Sequence, residues 1–213
     1  MYGANCGEGY ALTCIIEEKI VANRIFNMDE TGFQSRRRSR RVIAICGSRN
    51  VWTKTASISF HLSIVACGSA AGLMAPPLFI LPGERLRRDV LDACPMPGST
   101  ETTMTSGFMQ TPLFVSWLTT FASWVPSSVQ RPLVLVMDGC SSHFSIEVVQ
   151  HATCLGVLLV LLPSNGTHLL QSLDVSCFSS LEKHIQKGTH MIAEGAATIP
   201  KDVAICIGGS VWL

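Results

Sequence analysis

The sequence predicts a mixed α/β domain, and three observations carry that prediction. First, residues 133–137 read Leu-Val-Leu-Val-Met, an unbroken apolar run bounded by Pro132 and by Asp138-Gly139. Such a run fits a strand buried on both faces, as in a parallel sheet. Second, an apolar run returns at 157–162, after a helix-length interval that opens on Ser145 and closes on Gly156. Ser145 is a suitable N-cap and Glu147 suits the first turn. Strand, helix and strand in that order imply a right-handed crossover within one sheet. Third, strand-like runs occupy 24–29, 42–45, 57–67 and 73–81, with the small residues 68–72 as the turn joining the last two.

The remaining elements follow from periodicity. Leu113, Phe114, Trp117, Leu118 and Phe121 recur at helical spacing within 112–124, so Trp117 and Trp124 read as core rather than as stacking platforms. Residues 83–107 mix glycine, proline, threonine and charge without a period and are expected to be mostly loop. A helix is expected over about 168–187, with Leu170, Leu173, Cys177, Leu181 and Ile185 as its apolar stripe. Pro200 is expected to open a short helix through about Ile207, and Gly208-Gly209 to end it. We divide the chain into a lead-in (1–23), a core (24–187) and a tail (188–213) that can pack onto the core.

Composition narrows the class. With 47% hydrophobic and 15% charged residues the chain is not of the disordered type. Mean hydropathy is +0.35, yet the longest apolar run, 154–162, stops at Pro163 and is too short to span a bilayer, so no membrane is expected. The nine cysteines form no Cys-x-x-Cys pair, which points to reduced, mostly buried thiols. The net charge of +1 excludes nothing, but Arg36, Arg37, Arg38, Arg40 and Arg41 crowd six positions.

Three aspartates stand out by position. Asp29 ends the first core strand, Asp138 ends the strand 133–137, and Asp174 lies on the expected helix among Leu170, Leu173, Cys177 and Phe178. The carboxyl ends of strands are where α/β folds place ligands. An ionised carboxylate on an apolar stripe is costly unless paired or bound to a cation. Three hard oxygen donors in one place suit Mg²⁺ or Mn²⁺. The plainer alternatives are a turn residue or helix cap at Asp29 and Asp138, and an ion pair of Asp174 with Lys183 or an arginine.

Four blocks in order make the sequence resemble a known family. Asn27-Met-Asp-Glu-Thr-Gly-Phe33 resembles the first catalytic motif of the pogo/Tigger/jerky-like transposases, in the mariner-like DDE superfamily. Residues 133–143, ending Met-Asp-Gly-Cys-Ser-Ser-His, resemble the second. Residues 162–174, Leu-Pro-Ser-Asn-Gly-Thr-His-Leu-Leu-Gln-Ser-Leu-Asp, resemble the third, and 66–77 resembles the hairpin between motifs. Asp138 and Asp174 are separated by 35 residues, in keeping with that class of third acid.

The resemblance implies a ribonuclease H-like mixed sheet with flanking helices and a metal-dependent DNA endonuclease or strand-transfer activity. It makes Asp29, Asp138 and Asp174 the catalytic metal ligands for two Mg²⁺ or Mn²⁺ ions about 4 Å apart. Glu30, next along the strand, is expected to face away. His143 and His168 flank the second and third acids and are candidates for orienting a ligand or meeting phosphate, or for purely structural roles. The Arg36–Arg41 cluster is a candidate grip on the DNA backbone, or a solvated loop or localisation patch. The implied partner is DNA, the implied setting the nucleus, and the implied assembly a homodimer. Only about 23 residues precede the first core strand, too few for the helix-turn-helix domains that family members carry there, so DNA binding by this chain alone is expected to be nearly independent of sequence. Two departures bear on activity: Ser164 and Ser172 stand where the family has proline, which loosens the turn and helix start before Asp174 by about 0.4–1 kcal/mol each. The rival expectation is a non-catalytic descendant that keeps the fold as a nucleic-acid-associated or protein-interaction module. A phosphohydrolase using Asp138 as nucleophile is a poor third, since nothing else in the chain matches its motifs.

Overall fold

A computed structural model describes residues 20–33, 46–47, 58–139, 145–163, 171–192 and 198–212. The strand expected at 42–45, the Arg36–Arg41 cluster, His143 and His168 lie outside the described residues. Six strands form one mixed sheet: β1 (Ile25–Gly32), β2 (Ser63–Ser69), β3 (Leu78–Pro82), β4 (Thr100–Met104), β5 (Leu133–Met137) and β6 (Val157–Leu161). Their order across the sheet is β4-β3-β2-β1-β5-β6. β2 runs antiparallel to both neighbours, and the pairs β3–β4, β1–β5 and β5–β6 are parallel.

Side-chain alternation along the strands splits the core into two layers. Phe26 and Met28 of β1, Val65 and Cys67 of β2, and Leu133, Leu135 and Met137 of β5 face one side. Two helices cover it, α2 (Thr111–Trp124) and α3 (Ile146–Cys154); α1 (Arg88–Leu91) is a single turn between β3 and β4. Phe26 meets Phe121 edge-on at 5.1 Å between centroids, and Trp117 stacks on Phe114 and Phe121 in that layer. Ile64, Ala66, Phe79 and Leu81 face the other side, under α4 (Phe178–Ile192) and α5 (Lys201–Ser210).

Several expectations hold closely. Ser145 caps α3, its hydroxyl accepting the Val148 N–H at 3.2 Å. α3 connects the parallel strands β5 and β6 as the crossover helix. At the other end of β5, Arg24 is buried and donates twice to the Pro132 carbonyl, at 2.9 and 3.1 Å, which pins β1 against β5.

Other expectations are corrected. Residues 83–107 are mostly loop, as expected, but they also hold α1 and the edge strand β4, whose Thr-Glu-Thr-Thr-Met is exposed or half-buried, so no hydrophobic alternation marked it. Strand β2 begins only at Ser63, and β3 only at Leu78. Among the described residues the thiols are not mostly buried: Cys46, Cys154 and Cys177 are exposed, while Cys67 is sealed and burial pushes its thiol far up. Helix α5 runs through Gly208 and Gly209 instead of ending there. Close packing explains those glycines: a Cβ on Gly208 would lie 2.8 Å from the Phe79 ring, and one on Gly209 would collide with Cys94 Sγ. We therefore expect Gly208→Ala to destabilise the fold by about 1–3 kcal/mol, overriding the alanine's helix preference. A thermal melt that rose would show that the helix can lift off the sheet at no cost.

The stripe of the last long helix is also corrected. Leu173–Cys177 form a π-helical turn that continues into α4. That turn takes one residue more than an α-turn, so the core position moves from Cys177 to Phe178. Leu173, Phe178, Leu181 and Ile185 are buried, and Cys177 is exposed. Asp174 is exposed as well, on the solvent side of the π-turn and not on an apolar stripe. No described helix is long and apolar enough to cross a membrane.

Candidate functional site

The site is built at the carboxyl edge of the two central parallel strands. The register pairs Ile25 with Val134 and Asn27 with Val136. Two residues further along each strand stand Asp29 and Asp138. The β1–β5 ladder ends at the Asn27–Val136 pair, and both aspartates stand just beyond it, at the carboxyl edge of the two strands. Both belong to the sheet face opposite Phe26, Met28, Leu135 and Met137, which is the face covered by α4. The π-turn packs against β1 on that face and brings the third acid, Asp174, to the same edge.

Electrostatics reports the same convergence. Burial pushes the Asp29 carboxyl up from its ordinary 3.8 to about 6. A hydrogen bond from the Glu30 N–H, 2.8 Å long, and one from the Gln171 side chain oppose that shift. The negative charges of Asp138 and Asp174 add to it. Asp29 thus senses both other aspartates. Coupling is not closure, however: among the described residues no group of three or more His, Cys, Asp or Glu side chains is gathered tightly enough to hold an ion.

Glu30 faces away from these acids, as alternation requires. Its carboxylate accepts from Ser63 Oγ at 2.6 Å and from the Met109 N–H at 3.2 Å, tying the end of β1 to the segment that leads into α2.

Sequence reasoning missed two residues, Asn27 and Gln171. Gln171 is completely buried, and its side chain donates to the Met28 carbonyl at 2.9 Å. Asn27 Nδ2 donates to the Val136 carbonyl at 3.1 Å and to Gln171 Oε1 at 2.7 Å. Asn27 Oδ1 accepts the Leu173 N–H at 3.1 Å. The backbone partners fix the orientation of both amides, since carbonyls require donors and an N–H requires an acceptor. The available signal was position: Asn27 shares a strand face with Asp29, and Gln171 stands one turn before Asp174.

Comparison with known proteins agrees with this architecture. The family description "DDE superfamily endonuclease" matches residues 61–201, which include Asp138 and Asp174 and leave Asp29 upstream. No curated protein sequence matches the chain. Among solved structures, a Mos1 transposase paired-end complex with left transposon end is similar, with a TM-score of 0.54 and 12% identity over 95% of this chain and 56% of that one. A Mos1 mariner paired-end complex with Mn gives a TM-score of 0.47 at 12% identity, with the same two coverages. The chain therefore spans little more than half the length of the transposase it matches, and shares its ribonuclease H-like mixed sheet. On the family match, the chain belongs to the DDE superfamily endonucleases.

Proposed function

We propose that this chain is the catalytic core of a transposase-derived endonuclease that cuts DNA phosphodiesters, with Asp29, Asp138 and Asp174 as its metal ligands. The reading is supported by the β1–β5 register, which ends two residues before Asp29 and Asp138, and by the charges of Asp138 and Asp174 acting on Asp29, in a chain of this family. The donor set fits a hard divalent cation such as Mg²⁺ or Mn²⁺: three carboxylates whose charges oppose one another and whose central member is desolvated. Bound there as a pair, such ions would supply charge neutralisation for the oxygens of the scissile phosphodiester.

The chain's own residues do the rest. The Glu30 N–H and the Gln171 amide hold the Asp29 carboxylate in place. Glu30 stays committed to Ser63 and Met109 and takes no part. The exposed Asp174 sits where DNA can approach from solvent. The same reading brings with it DNA as substrate, a nuclear setting and a homodimer, with the Arg36–Arg41 cluster as the grip on phosphates and His143 and His168 as candidates for orienting a ligand. The second reading, a non-catalytic descendant retained as an interaction module, is favoured by Ser164 and Ser172, which stand where the resembled motif has proline. Incubating the purified chain with supercoiled plasmid separates the two. Nicking with Mn²⁺ and none with EDTA supports the enzyme; intact plasmid under both conditions supports the module.

A stability test follows from the raised Asp29 value. A carboxyl that ionises near 6 in the fold and near 3.8 when unfolded binds its proton more tightly in the fold. Its contribution to stability is full below about 3.8 and is lost as pH rises through about 6. At neutral pH without metal, charged Asp29 therefore costs stability, about 1–2 kcal/mol once solvent screening is allowed for. Asp29→Asn is expected to raise the melting temperature by a few degrees at pH 7.5 in EDTA, with the gain shrinking towards pH 4. A lower melting temperature at pH 7.5 would contradict the assigned environment.

A further inference from the structure

We infer that Asn27 and Gln171 act as a positioning clamp that sets Asp174 against Asp29 and Asp138; the inference rests on the endonuclease reading above. Three observations carry it. One side chain, Asn27, stands on one acid-bearing segment and bonds to the other two. It stands on β1 two residues before Asp29 and donates to the carbonyl of Val136, two residues before Asp138. It also accepts the N–H of Leu173, next to Asp174. Ser172, which opens the helical segment carrying Asp174, makes no side-chain cap hydrogen bond. The segment's first-turn N–H is satisfied instead by a residue 146 positions away on the central strand. Finally, Gln171 locks the arrangement from within: fully buried, it bonds to Asn27 and to the Met28 carbonyl, and its amide favours the charged form of Asp29.

The clamp fixes the π-turn by hydrogen bonds whose loss would leave buried polar groups unpaired. Neither amide needs to touch DNA. Each acts through the carboxylates, as groups that orient metal ligands do.

The test uses Asn27→Ala, Gln171→Met and the double variant in the full chain, with Asp138→Asn as reference and Asn27→Ser as a milder change should a variant fail to fold. Two readouts are taken: amide hydrogen exchange of 171–178 without metal, and nicking rate against Mn²⁺ concentration. Expected are faster exchange at 171–178 with 146–154 unchanged, and a ten- to hundredfold rise in the Mn²⁺ concentration at half-maximal rate. The rate at saturating Mn²⁺ should fall less, and the double variant should be no worse than either single one, because the two amides act as a unit. Unchanged exchange overturns the clamp. Faster exchange with a wild-type Mn²⁺ requirement overturns the positioning role. A wild-type chain that neither binds Mn²⁺ nor nicks DNA overturns the endonuclease reading itself, and the exchange result alone then judges the clamp.

Discussion

Asp138→Asn is expected to abolish Mn²⁺-dependent nicking, a loss of at least about a hundredfold, while leaving the fold intact. The amide keeps the size of the carboxylate and removes the charge that would hold a cation beside Asp29. The side chain is only half-buried at the end of β5, and Leu133, Leu135 and Met137 anchor that strand in the core without it. Thermal melting should therefore stay close to wild type. Asp174→Asn should behave alike, since Asp174 is exposed and its helix is held by Leu173, Phe178, Leu181 and Ile185. EDTA should do to the wild-type chain what either substitution does. Nicking that survives Asp138→Asn or EDTA would trace the cutting to a contaminant or to another chemistry.

The second large effect concerns salt. If five arginines at 36–41 each neutralise a phosphate, the binding constant for duplex DNA should fall roughly five-hundredfold between 50 and 200 mM salt. Each arginine replaced by serine should flatten the logarithmic slope by about 0.9. Phosphate contacts carry no base information, so a panel of random duplexes should bind within a narrow range of affinities. The readout is fluorescence anisotropy at two salt concentrations. A sharp preference for one duplex that persists at high salt would require a base-reading element in the chain.

Much of the fold was legible because burial imposes simple patterns. Leu-Val-Leu-Val-Met is buried along β5 except for half-buried Val136, and Ser145 could be read as a cap because its oxygen has one obvious orphan N–H to serve. That Asp29 and Asp138 belong together came from the motifs that resemble a known family, since no local pattern shows that β1 and β5 run parallel. What could not be read depends on contacts distant in sequence. Strand β4 owes its place to pairing with β3, not to its own apolar residues. The π-turn shifts the stripe from Cys177 to Phe178, and helical spacing assumes no such insertion. Gly208 and Gly209 read as a stop signal until the Phe79 ring and Cys94 beneath them are known. Asn27 and Gln171 have no local pattern at all, because their partners lie more than a hundred residues away.

The central claim is that three aspartates from two strands and a helix serve one cation site. Anomalous diffraction from crystals of the chain grown with Mn²⁺ tests it directly. Manganese at the carboxyl edge of β1 and β5, contacting oxygens of Asp29, Asp138 and Asp174, is the expected result. Manganese that binds elsewhere, or that leaves Asp174 turned to solvent while Asp29 and Asp138 remain empty, would contradict it.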